Sequence, residues 1–238
     1  MALWIFGDSF SAPEDNKNDF DPWYEIVAKT LNQPIQNKSV FGAGFQYILN
    51  QWNTYWNQIK VDDYVIVILT SARKTCFFKD HPQLSMPWMI NKAHYAAGWH
   101  LLSSKQQTAF KSYYKHLHCD NDIITQMQSF LFWANTKSAI LDHKIIVVKS
   151  FNDFEIDHNC FNNLIISTGG SLIELSRLEV SETSWDLLLI NNDCFDTRSN
   201  HLTEENHINL AACIVNSIGN FSLDLNFDNF KIYNAPVV

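Results

Sequence analysis

The chain has 238 residues, 46% hydrophobic, 14% aromatic and only 18% charged, with 7 Gly and 6 Pro. This is the composition of one globular domain over residues 1–238, and it excludes collagen-like, linker-like and disordered chains. A formal net charge of −8, from 17 Lys and Arg against 25 Asp and Glu, argues against a nucleic-acid partner.

In chain order, short β-branched runs alternate with segments of helical period, the pattern of an α/β fold with a mainly parallel sheet covered on both faces. The first strand spans residues 2–6 and a weaker one lies near 34–40; clear strands follow at 64–69, 144–149 and 187–190. Between the first two, Asp21 as N-cap and Pro22 at the first helical position start a helix through Trp23, Ile26, Val27 and Leu31. Residues 46–59 and 104–141 are helical, the latter broken near 119–122, and Lys105, Lys111 and Lys115 mark a solvated helix face. Residues 75–103, rich in Phe, Trp, His and Pro without a clean period, form an insertion: a lid or substrate wall, an extra subdomain, or a partner surface. Thr203 caps the last helix, with Glu204 and Glu205 in its first turn and Ile208, Ala211, Ala212, Val215 and Ile218 as its apolar stripe. The tail 221–238 adds an edge strand or hairpin.

The longest uninterrupted apolar run, residues 64–69, falls far short of the ~20 residues that span a bilayer, and the N-terminus has no secretory pattern. No membrane partner and a cytoplasmic location are therefore expected. The odd set of cysteines, Cys76, Cys119, Cys160, Cys194 and Cys213, fits reduced and mostly buried thiols. Neither His116-Leu-His118-Cys119 nor His158-Asn-Cys160 has the second ligand pair of a metal site, so no metal or other cofactor is expected. Thr168-Gly-Gly-Ser171 lacks the Lys of a P-loop and reads as a turn.

The chemistry concentrates at the two ends of the chain. Strand 2–6 runs into Gly7-Asp8-Ser9, which puts a serine at the C-terminal edge where open α/β sheets bind ligands, although Gly-Asp-Ser alone is an ordinary Asx-type turn. A serine nucleophile needs a base, and His201 lies before the last helix with Asp196 near enough in sequence to orient it.

Gly7-Asp8-Ser9-Phe10-Ser11 together with His201-Leu-Thr before a terminal helix resembles the SGNH (GDSL-like) hydrolases over nearly the whole chain. The resemblance implies a flavodoxin-like three-layer α/β/α sandwich, with Ser9 as nucleophile and with Gly42, or alternatively Gly44, joining the Ser9 N–H in the oxyanion hole. The family's third block usually supplies an Asn; here Thr70-Ser71-Ala72-Arg73 stands instead. Thr70 or Ser71 then offers a hydroxyl donor and Arg73 a contact to an anionic group. In the last block the acid is Asp196, with Asp193 in reserve, five and not three residues before His201. A second register, Glu204-x-x-His207, places its histidine inside the helix.

The implied activity is ester hydrolysis through an acyl-enzyme on a small-molecule or glycan ester, for which the 8 Trp and 8 Tyr are compatible with sugar stacking. An acyltransferase, or a catalytically weak glycan-binding or structural module, is the alternative. The oligomeric state is not legible.

Overall fold

Strands that are apolar at every position must be covered on both sides, and that requirement organises the molecule. The computed structural model describes residues 1–13, 20–72, 75–78, 81–86, 103–116, 119–152, 154–175, 178–179, 200, 202–231 and 233–234. In chain order the elements are β1 (Leu3–Phe6), α1 (Trp23–Leu31), β2 (Ile35–Asn37), α2 (Phe45–Tyr55), β3 (Tyr64–Leu69), β4 (Thr75–Phe78) and β5 (His81–Met86). There follow α3 (Ser104–His116), α4 (Asp120–Leu141), β6 (Lys144–Lys149), β7 (Leu164–Thr168), α5 (Leu172–Leu175), β8 (Leu178–Glu179), α6 (Glu204–Asn220), β9 (Leu223–Asp224) and β10 (Tyr233–Asn234).

Six strands form one parallel sheet in the order β2-β1-β3-β6-β7-β9, the framework of an α/β fold. Leu3 pairs with Ile35 on one side and Tyr64 on the other, and Ile66 lies between Ile5 and Ile146. Alternate residues point to opposite faces. Trp4, Phe6, Val65, Val67, Ile145 and Val147 join Phe45, Ile48 and Trp52 of α2 and Met127, Phe130 and Leu131 of α4 in one core. Leu3, Ile5, Ile66, Ile68, Ile146 and Val148 join Trp23 and Val27 of α1 and Leu210 and Ile214 of α6 in the other.

The central strands match expectation, but the sheet holds one that the sequence reading missed. Leu164-Ile-Ile-Ser-Thr168 has only three apolar residues, and its burial is set by β6 alongside it. The Thr168-Gly-Gly-Ser171 turn follows it, with Gly169 at φ +87° where a Cβ would lie 2.7 Å from Leu225 O. The strand expected at 187–190 lies outside the described residues. The tail is an edge strand and not a hairpin: β9 pairs in parallel with β7, while β10 pairs in parallel with β8. Of the 75–103 insertion, β4 and β5 form an antiparallel hairpin just beyond the end of β3, with β4 running beside α2. Residues 87–102 lie outside the described residues.

Two helices differ from expectation in detail. α1 begins at Trp23, with Pro22 as N-cap and no side-chain cap, while Asp21 pairs with Lys29 instead. α6 is capped by Thr203, whose hydroxyl accepts the Asn206 N–H, but its buried face is Asn206, His207, Leu210, Ala211, Ile214 and Ser217, and Ile208 is exposed. The stripe is rotated because both polar residues find partners: Asn206 bonds both Lys231 N–H and Lys231 O, and His207 bonds Trp23 N–H. The thiols differ too. Cys119 and Cys160 are exposed and Cys213 is half-buried. Cys160 lies in a polar turn beside Asp157, whose carboxylate its thiol meets at 3.4 Å, and no hydrophobic layer covers it. Among the described residues, no helix is long and apolar enough to cross a membrane.

Candidate active site

From β1 the chain crosses outward to β2, then returns past β1 to β3, so strand order reverses at β1. α1 and α2 consequently sit on opposite faces, and the C-terminal ends of β1 and β3 flank the crevice where such sheets bind ligands. Ser9 stands at that end, half-buried, three residues beyond β1.

The turn that carries Ser9 is held on all sides. Gly7 is demanded by space: a Cβ there would lie 2.7 Å from Ile68 Cβ and would also strike Ser11 Oγ. Asp8 is fully buried, and its Oδ1 accepts the Phe10 N–H at 3.2 Å and the Ser150 hydroxyl at 3.1 Å. Ser11 N–H closes the turn on Asp8 O at 3.0 Å. The Asx-type turn and the strand-end serine are thus one structure.

The strand-end loop after β2 is stitched to this turn. Val40 N–H donates to Gly7 O at 3.2 Å, Ser11 Oγ–H to Ser39 Oγ at 2.9 Å, and Asn37 Nδ2 to Ser11 O at 2.7 Å. Two residues beyond Val40, Gly42 holds φ +72° in a turn closed by Ala43 N–H on Val40 O, the geometry of a type II turn. Gly42 and Ser9 therefore lie on adjacent loops, each two residues past the Gly7–Val40 bond. Gly44, the alternative, is the N-cap of α2.

Thr70 and Ser71 follow β3 and are both buried. Thr70 Oγ1 has no hydrogen-bond partner among the described residues. Beyond it, Ser150 N–H donates to Leu69 O, and the Ser150–Asp8 bond spans the width of β3 from the end of β6 to the β1 turn. Arg73 lies outside the described residues.

The C-terminal segment reaches the same turn through Asn200. This residue is 1% exposed and left-handed at φ 45°, and its Nδ2 donates to Ser9 O at 2.7 Å and Ala12 O at 2.9 Å. His201, Asp196 and Asp193 lie outside the described residues. Leu202, on the far side of His201 in the chain, is fully buried. His207, the histidine of the other register, is fully buried; its Nδ1 accepts the Trp23 N–H at 3.0 Å, and Phe20 packs on its ring. Glu204 is exposed.

Sequence reading missed Asn200, Ser150, Asn37 and the buried role of Asp8. Asn200 had a signal in its place beside His201, and Asp8 had one in the Asx-type turn. No protein-family model matches the chain, and no curated protein matches it.

Proposed function

We propose that the chain is a serine esterase on the SGNH plan, a flavodoxin-like α/β/α sandwich whose nucleophile is Ser9. The observation that carries this reading is the pair of bonds from Asn200 to the Ser9 turn, which ties the chain neighbour of His201 to the nucleophile's own backbone.

His201 takes the Ser9 Oγ proton as Oγ attacks the ester carbonyl carbon, and it returns that proton to the departing alcohol. Water, deprotonated by His201, then cleaves the acyl-enzyme. Asp196, with Asp193 in reserve, orients the imidazole. The N–H groups of Ser9 and Gly42 take up the oxyanion, and the Thr70 hydroxyl serves as a donor in place of the family's Asn. Ser71 and Arg73 contact the substrate. That substrate is a small acyl ester, with an O-acetylated glycan as one form. Trp4, Trp23 and Trp52 are core residues and Trp56 and Trp133 pack against that core, while Trp88, Trp99 and Trp185 lie outside the described residues.

The replacement of the third-block Asn by Thr70 and Ser71 favours a second reading, a catalytically weak glycan-binding module. Intact-mass detection of fluorophosphonate labelling decides between them. A single adduct on the native chain, absent from Ser9→Ala, is the expected outcome. A folded native chain that takes no adduct would sink the esterase and leave the binding module.

A further inference from the structure

We infer that Asn200 is the positioning residue that sets the distance between the nucleophile and its base; this rests on the esterase reading above. Three features separate it from an ordinary loop contact. Its amide nitrogen divides two protons between the carbonyls of Ser9 and Ala12, residues on either side of the Phe10-Ser11 pair, so it grips the nucleophile's turn at both ends. These bonds join positions 191 and 188 residues apart in the chain and are a direct polar link between the nucleophile's turn and the segment entering α6. The backbone at φ 45° is a conformation that Asn accepts more readily than most residues, so the amide is delivered from a turn that this residue type itself favours.

The residues that follow His201 in the chain are fixed as well. Leu202 is fully buried in the core formed with α1 and α6, and Thr203 caps α6. The chain neighbours of His201 are therefore a polar anchor on the Ser9 turn, Asn200, and a core anchor at the start of α6, Leu202. The core anchor holds the segment to the domain whatever happens at Ser9. The Asn200 amide ties it directly to the nucleophile's turn, and a displacement of about 1 Å at a reacting group costs on the order of 10²-fold in rate.

Asn200→Gly keeps the left-handed backbone and deletes the amide; Asn200→Ser keeps one hydroxyl donor and serves as the graded variant if the glycine chain does not fold. The second-order rate of Ser9 labelling by a fluorophosphonate is measured from pH 5 to 9 on native chain and both variants, normalised to folded protein by near-ultraviolet circular dichroism, with Ser9→Ala as blank. The expected result is a loss of about 10²-fold for Asn200→Gly, a smaller loss for Asn200→Ser, and a displaced midpoint of the pH profile, which reports the base. Variants that melt earlier yet label at the native rate and midpoint while folded would overturn the inference, making Asn200 a structural pin. A native chain that takes no label on Ser9 would instead overturn the esterase reading beneath it.

Discussion

Leaving a buried hydroxyl without a partner costs about 1–3 kcal/mol, and Thr70 Oγ1 is such an atom among the described residues. A side chain kept at that cost at the crevice end of β3 is explained if a substrate oxygen completes it. Thr70→Val retains the shape and removes the hydroxyl. Its urea midpoint is expected at or above that of the native chain, while Ser9 labelling falls about 10²- to 10³-fold, the range for loss of one oxyanion donor. A Val variant with native labelling would show the hydroxyl to be idle. At the same scale, the residue types at Gly7, Ser9 and Gly42 were legible from their order along the chain, but the reason for Gly7 was not. The constraint there is the approach of Ile68 from β3.

Among elements, α1 depends on distant atoms. Pro22 gives it no cap, so the first free N–H, on Trp23, is accepted by His207 Nδ1, while the Trp23 indole N–H reaches Phe10 O at 2.8 Å. α6, α1 and the Ser9 turn are thereby linked in series. His207→Ala is expected to lower stability by about 2–4 kcal/mol in chemical denaturation, through the cavity and the orphaned N–H, while the folded fraction still labels at Ser9. His201→Ala is expected to do the reverse, sparing stability and abolishing labelling. Equal loss of labelling in both would undo the choice of His201 as base. The rotation of α6 away from its expected stripe has the same origin: Asn206 and His207 are polar by type, yet their partners arrive from Lys231, Leu175 and Trp23.

For the whole molecule, two polar residues at the opposite edge of the sheet from Ser9 link its stability to pH. His143, 4% exposed and edge-on to Trp56, precedes β6. Burial holds its pKa below the ordinary histidine value, against the raising influence of its bond to the Lys60 backbone and of Asp63 and Asp142. A lowered folded pKa means that its contribution is fully present above the unfolded value of about 6.5 and is lost as pH falls through the folded one. The melting temperature is therefore expected to drop between pH 7 and pH 5, and His143→Gln to flatten that slope; an unchanged slope would remove His143 as its source. Asp63 acts in a more acidic range. Burial opposes its charge, but donors from Lys60, Trp4 and Ala2, with the nearby N-terminus, bring its pKa below the usual aspartate value. Its contribution is accordingly lost only below about pH 4. At this scale the sequence by itself determined the parallel α/β plan, the spans of β3 and β6 and the start of α6. A central strand buried on both faces leaves an uninterrupted apolar run, and a cap is a local event. Tertiary structure alone decided β7, the buried face of α6 and the links from Asn200 to Ser9, Ser150 to Asp8 and His207 to Trp23. Each joins atoms 142 to 191 residues apart, and whether a polar side chain is buried or exposed depends on a partner that no local pattern can announce.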